Sequence, residues 1–549
     1  MTLMTRLAAA ALKLPPATTY DLAVQRNLEV PMPDGARLLA DRWYPQTQAG
    51  GPPPVILIRT PYGRSTSEFI ARLAAERGYQ VVVQSSRGTF GSGGTWQPFR
   101  HEAADGQATL AWLVKQPWCD GRIATWGASY QGLSQWALVA NPGEALRALV
   151  IVQSDPDPRS IIYSGGVLSL ETVLAWTSIL EYQERSLVRI LANALWGDRS
   201  LQPAFSALPL RDSDRVAFGR TIDFYQEWLA HEPSDAWWNA VDFGRDLAQT
   251  PPTVMVGGWF DLHLPGQLDA WCTLKAAGRE VRLVIGPWTH ESFGIAGPAL
   301  LEGLSWFDRA LKSPGGENRP GPSQPSLRFF LMGRGRWVDL DAWPPPADVQ
   351  RWHLHGDARL ARPAPTEAPP RRYTYDPAQP TPSLGGGATI VGRTSGPKDQ
   401  QARERRPDVI TYTSEALTQE LTVVGPLKAT LYIRADIEHI DLFVRLCDVT
   451  PRGRSINVSD GIVRLRPADF AARTGGALEV HVSLWPTATT FKAGHRLRLQ
   501  VSSGAHPMYA RNLCTGEPLA SGAQTSKATI DVLSDPRHPS AIEVPVVKI

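Results

Sequence analysis

Short apolar runs alternate with stretches of helical spacing over the first 150 residues. Asn27 to Tyr44 predicts two strands around the turn Pro33-Asp34-Gly35. Val55 to Thr60, Tyr79 to Gln84, Ile123 to Trp126 and Ala148 to Val152 read as buried strands. Between them, Phe69 to Arg77, Glu102 to Gln116 and Gln131 to Ala140 have helical spacing. The second of these helices places Leu110, Ala111, Leu113 and Val114 on its inner face. Runs of this kind predict an α/β fold with a parallel sheet covered on both faces. After Ser154-Asp155-Pro156 the pattern changes. Residues 157–243 show no strand pattern, Leu168 to Leu195 is helical, and the segment carries Trp176, Trp196, Trp228, Trp237 and Trp238. Strands resume at Thr253 to Gly257, Val281 to Ile285 and Ser326 to Leu331. Residues 157–243 therefore read as a helical cap inserted into one α/β domain. Most of its tryptophans are expected to form its own core, with one or two, Trp176 first among them, facing a ligand.

A third pattern begins near residue 346. Residues 361–386 are rich in Pro and Gly. Alternating runs follow: Leu427 to Arg434, Leu442 to Cys447, Ile462 to Leu465, Leu478 to Leu484, Leu497 to Val501 and Ala528 to Val532. Short strands without helices between them predict a β-sandwich or jelly roll. The expected division is an α/β domain over 1–156 and 244–345, a cap over 157–243 and a β domain over 346–549.

Composition narrows the function classes. Apolar residues make up 43% and charged residues 20%, which excludes wholesale disorder. Lys and Arg number 56 against 53 Asp and Glu, a net charge of +3 with no basic run, which argues against nucleic-acid binding. The four cysteines, Cys119, Cys272, Cys447 and Cys514, form no C-x-x-C pair and suggest neither a zinc site nor a disulfide framework. They read as reduced thiols, and a cytoplasmic location is the expectation. No apolar run approaches the ~18 residues of a membrane span. Leu7 to Leu12 is interrupted by Lys13 and ended by Pro15 and Pro16, which favours a short surface helix over a secretory signal.

The sharpest chemical signal is Trp126-Gly127-Ala128-Ser129-Tyr130-Gln131-Gly132, between a strand and a helix. That is the setting of a nucleophile elbow, although Gln131 stands where the second glycine of G-x-S-x-G usually falls. A serine needs a base, and in this architecture acid and histidine follow it in that order. His231 falls in the cap. His263 and His290 each follow a strand, as does Asp261. Ser129, Asp261 and His290 give the required order. The N–H of Tyr130 is the first oxyanion donor to expect. The second is sought in Pro61-Tyr62-Gly63-Arg64, where Tyr62 either donates its phenol or packs beneath the loop.

These residues resemble the X-Pro dipeptidyl-peptidase and cocaine-esterase superfamily of serine hydrolases, which includes α-amino-acid ester hydrolases and glutaryl cephalosporin acylases. The resemblance runs through Val30-Pro31-Met32-Pro33-Asp34-Gly35, Arg59-Thr60-Pro61-Tyr62, and Arg87-Gly88-Thr89-Phe90-Gly91-Ser92-Gly93-Gly94. It continues in Gln116-Pro117-Trp118-Cys119-Asp120-Gly121, the elbow, Gly258-Trp259-Phe260-Asp261, Gly286-Pro287-Trp288-Thr289-His290 and Ala493-Gly494-His495-Arg496-Leu497-Arg498. It implies an α/β-hydrolase domain, a helical cap and a C-terminal jelly roll. It further implies Ser129, Asp261 and His290 as triad, with the Tyr62 hydroxyl and Tyr130 amide as oxyanion hole. Phe260, Trp176 and His263 are the expected pocket residues. His263 departs from the aromatic residue that esterase-like members carry there, which favours small or polar acyl groups over benzoyl.

The expected activity is hydrolysis of esters or amides through an acyl-enzyme on Ser129, with carboxylesterase first. X-Pro dipeptidyl-peptidase is second, with Glu171, Glu181 and Glu184 of the cap as candidate holders of an α-ammonium group. A β-lactam ester hydrolase or acylase is third, and a non-catalytic binding protein last. The partners expected are a small ester, amide or short peptide, with no metal, cofactor, nucleic acid or membrane. The sequence is compatible with a homo-oligomer.

Overall fold

The computed structural model describes residues 2–46, 51–184, 200–312, 325–390 and 394–549. Trp196 and the expected helical residues 185–195 lie outside them.

Ten strands form the first sheet: β1 (Leu22–Pro31), β2 (Arg37–Pro45), β3 (Val55–Thr60), β4 (Gln80–Ser85), β5 (Ile123–Ala128) and β6 (Leu146–Val152), then, beyond the cap, the strands Thr253–Phe260, Val281–Thr289, Leu327–Leu331 and Arg336–Leu340. The cap contributes a two-residue hairpin, β7 (Tyr163–Ser164) with β8 (Val167–Leu168), so the later four are β9, β10, β11 and β12. The order across the sheet is β1-β2-β4-β3-β5-β6-β9-β10-β11-β12. From β4 to β11 neighbours run parallel, and the antiparallel pairs lie at the margins. The central strands are buried on both faces, β3, β4 and β9 at every position, because helices cover each side. One core lies on each face.

The strand order reverses between β3 and β5, since β3 leads to β4 on one side and neighbours β5 on the other. A crevice opens at the carboxyl ends of the strands at such a point. Tyr62 follows β3, Ser129 follows β5, Asp261 follows β9 and His290 follows β10.

Two local expectations are corrected. In the helix Glu102–Leu113, Leu110 and Leu113 face inward, but Ala111 and Val114 are exposed. Their expected place is taken by Glu102, Asp105 and Thr109, because the buried Arg59 and Arg87 need carboxylate partners on that face. In the cap, the hairpin β7–β8 is a strand pair that the apolar pattern did not mark. Its remaining described elements are mainly helical, among them Leu170–Tyr182 and Asp223–Ala230. Around them Phe205, Tyr225, Trp228 and Trp238 form a separate core.

From Asp348 onward the chain is an antiparallel two-sheet β domain. The larger sheet has eight strands and the smaller four, with apolar side chains between them. Every run expected from the alternation pattern lies in a strand, such as Leu421–Ala435, Ile440–Val449 and Leu478–Phe491. At the other end of the chain, the helix Thr2–Ala11 sits at the surface with Leu3, Met4 and Leu7 exposed. No helix among the described residues is long and apolar enough to cross a membrane.

Candidate active site

β5 ends in Gly127-Ala128, and the helix Tyr130–Trp136 begins one residue after Ser129. Ser129 therefore occupies the whole turn, at φ 56° and ψ −124°. Positive φ is costly for serine and is held here by close packing. A Cβ on Gly127 would lie 2.4 Å from Gln131, and one on Gly132 would lie 2.4 Å from Ser154. Those contacts explain both glycines. Gln131 has a role that glycine could not fill: its Nε2 donates to Thr60 Oγ1 (3.0 Å) and Ser67 Oγ (3.2 Å), tying the elbow helix to the β3 side of the crevice.

Ser129 Oγ and His290 Nε2 are 3.1 Å apart, and His290 Nδ1 is 2.8 Å from Asp261 Oδ2. The Asp261 carboxylate is fully buried. It also accepts from Gln153 Nε2 (2.5 Å) and from the backbone N–H of His263 (2.9 Å). Burial alone would raise its pKa, but the His290 imidazole and the other donors outweigh burial, and the carboxyl titrates below its ordinary value. For His290, burial works toward a lower pKa, yet the Asp261 carboxylate, with Glu291 nearby, raises it above the ordinary imidazole value.

Tyr62 faces this chain from the β3 side. Trp176 Nε1 of the cap donates to its hydroxyl oxygen at 2.9 Å. Burial pushes the phenol up to about 12, with Trp176 and Ser129 acting in the other direction. The hydroxyl is therefore protonated at neutral pH. Its oxygen receives the indole, and its proton is available for a second partner. Tyr130 supplies the first N–H of the elbow helix, one of the amides a helix leaves without an internal acceptor. Its side chain is locked: the hydroxyl donates to Glu102 Oε1 (3.0 Å) and accepts from the Phe99 N–H (2.9 Å). Glu102 in turn pairs with Arg59 at 2.8 Å, both side chains almost completely buried. One buried chain thus braces the strand leading to Tyr62 and the helix that starts at Tyr130.

Two cavities meet at Ser129, His290, Tyr62, Trp176 and Ile390. The smaller, about 40 Å³, lies under the cap, between Phe99, Leu133, Val173, Trp228, Leu262 and His263. Phe99, Trp176 and Trp228 lie 5.9 Å apart pairwise with nearly parallel rings. The larger, about 490 Å³, runs along the other face past Ile70, Trp126, Ile295 and Leu300, with Glu291 as its charged residue.

Trp176 and His263 thus line a cavity that touches Ser129. Phe260 does not: it packs into the sheet core, because the last residue of β9 points away from the crevice. His231 stacks on Trp237, away from both cavities. Of the cap carboxylates, Glu171 is buried against Thr394, Glu181 pairs with Arg220, and Glu184 accepts from the Phe90 N–H, so none lines either cavity. Phe99, Trp228, Gln153, Asp155 and Ile390 also belong to the site, and the sequence does not mark them as site residues. For Trp228 the signal was its place in an aromatic cap. For the others no local motif marks them.

Known proteins share this architecture. The model of the X-Pro dipeptidyl-peptidase (S15 family) matches residues 34–292, and the X-Pro dipeptidyl-peptidase C-terminal non-catalytic domain matches 322–543. A curated relative, cocaine esterase of Rhodococcus sp. (strain MB1 Bresler), is 32% identical and covers 96% of this chain and 99% of its own. An aminopeptidase structure from a marine sediment Thaumarchaeota archaeon superposes with a TM-score of 0.81 at 25% identity, covering 97% of this chain and 98% of its own. An α-amino acid ester hydrolase structure gives 0.80 at 23% over 97% and 98%.

Proposed function

The chain belongs to the X-Pro dipeptidyl-peptidase (S15) family of serine hydrolases, and from that premise we propose that it is a carboxylesterase acting through Ser129. The observation that carries the assignment of residues is the unbroken Ser129–His290–Asp261 hydrogen-bonded chain at the carboxyl ends of β5, β10 and β9.

In this reading His290 takes the Ser129 proton as the hydroxyl attacks the ester carbonyl. Asp261 holds the imidazole with Nδ1–H toward itself and stabilises the imidazolium. The Tyr62 hydroxyl and Tyr130 N–H receive the oxyanion, and their buried bracing fixes them before charge develops. His290 returns the proton to the departing alcohol, then activates the water that releases the acid. The cap-side pocket takes the acyl group, and the larger cavity takes the alcohol. The likeness to cocaine esterase over nearly the whole chain favours an ester over an X-Pro peptide. Glu171, Glu181 and Glu184, the candidate holders of a peptide's α-ammonium group, are engaged away from both cavities.

Short 4-nitrophenyl esters and Xaa-Pro 4-nitroanilides, assayed side by side, test the class: ester turnover should dominate. A fluorophosphonate should label wild type and not Ser129→Ala, and that variant should lose ~10⁴–10⁶-fold in kcat while folding normally. Labelling of the alanine variant would overturn the assignment of the nucleophile.

A further inference from the structure

We infer that His263 presents an N–H donor inside the cap-side pocket and selects acyl groups that carry a hydrogen-bond acceptor. This deepens the esterase reading and rests on that pocket as the acyl site. His263 stands at the start of the helix Leu264–Ala276 and is 2% exposed. Its backbone N–H is committed to Asp261 Oδ1, which pins its main chain to the site. Its ring lies 5.5 Å from that of His290, so it borders the space in which an acyl group must sit.

The partners of Nδ1 set the direction of the donor. The backbone N–H of Asp155 points at Nδ1 from 3.3 Å. A peptide N–H only donates, so Nδ1 holds the lone pair and the ring proton resides on Nε2. The Asp155 carboxylate is near, with Oδ2 3.5 Å from Nδ1, but the two form no hydrogen bond, and Oδ2 accepts from Ser160 Oγ at 2.9 Å. A buried peptide N–H requires an acceptor, and the imidazole lone pair is the one within reach. Nε2 has no partner among the described residues.

The walls around it are mainly aromatic and aliphatic, with Thr172 the polar side chain outside the hydrogen-bonded chain and the two tyrosines. In the free enzyme water satisfies such a donor. A purely hydrocarbon acyl group displaces that water and strands the N–H, whereas an acyl group with an ether or carbonyl oxygen replaces the bond.

4-Nitrophenyl methoxyacetate and 4-nitrophenyl butyrate have acyl chains of equal length, and only the first carries an acceptor. kcat/KM for each is divided by the rate constant of its alkaline hydrolysis, which removes intrinsic reactivity. Wild type should prefer methoxyacetate by roughly tenfold or more. His263→Phe should bring the ratio to about one, and His263→Gln, which keeps an N–H, should retain part of it. If His263→Phe does not fold by circular dichroism, His263→Met gives the same comparison. A wild-type ratio near one, or one that persists in the Phe or Met variant, overturns the inference and leaves the esterase reading intact. Wild type that hydrolyses neither ester overturns both.

Discussion

The Tyr62 hydroxyl accepts from Trp176, interacts with Ser129, and is kept protonated by burial, as the proposed oxyanion donor must be. Tyr62→Phe removes one donor to charge that exists only in the transition state. kcat should fall by ~10²–10³ with little change in KM. A raised KM with kcat spared would place Tyr62 against the ground-state substrate instead. As the proposed base His290 must be neutral, and its pKa stands above the ordinary imidazole value. Activity should therefore be lost, as pH falls, from a pH above that of an unperturbed histidine. Glu291 contributes to the rise, so Glu291→Gln should lower the pKa and move the acid limb of kcat/KM to lower pH. A limb that stays in place would show that Asp261 alone sets it. The hydrogen-bonded chain of Ser129, His290 and Asp261 is legible in sequence because each residue follows an apolar run. Gln153 and Asp155 are not, because both matter only once β6 lies beside β9.

Among the elements, the cap helix Leu170–Tyr182 reaches the proposed site through Trp176. It carries the indole whose N–H donates to the Tyr62 hydroxyl, and Trp176→Phe keeps an aromatic ring, smaller than the indole, while deleting that N–H. The expected result is a fall in kcat of about tenfold, smaller than for Tyr62→Phe, because the donor remains and only its aim is loosened. Combined with Tyr62→Phe, the Trp176 change should add little, and full additivity would mean that the two act separately. The same contrast explains which elements could be read from the sequence. β3 and β4 are continuous apolar runs and were found within a residue or so. The strands Asp348–Leu354 and Arg371–Tyr375 were missed because they are partly exposed and carry Asp and Arg at positions that an apolar count discards. The inner face of Glu102–Leu113 was misread for a related reason: its buried carboxylates answer arginines on other elements.

At the scale of the molecule, the cap is fastened to the β domain by main chain as well as side chain. The Arg464 N–H donates to the Gly165 carbonyl (2.9 Å), the Glu171 N–H to that of Pro507 (3.0 Å), and Thr172 Oγ1 to that of Ala388 (3.2 Å). A Cβ on Gly165 would sit 1.8 Å from the Ile462 carbonyl oxygen, and its φ of 55° is unfavourable for a branched residue. Gly165→Val should lever the cap off this seat. The expected cost is ~1–3 kcal/mol or more in denaturant unfolding, with kcat/KM reduced by about tenfold because Trp176 moves with the cap. Unchanged turnover in a destabilised variant would separate the seat from the site.

The walls around Ser129 thus come from three parts of the chain: Leu262 and His263 from the α/β domain, Trp176 and Trp228 from the cap, and Ile390 from the β domain. In evolutionary terms this separates what must be inherited unchanged from what is free to drift. The proposed hydrogen-bonded chain depends on atoms held within about 3 Å of one another at the strand ends, whereas a wall residue borne by the cap or the β domain lies outside β5, β9 and β10. Divergence in what such enzymes accept can then accumulate one wall at a time, with each intermediate still a working hydrolase.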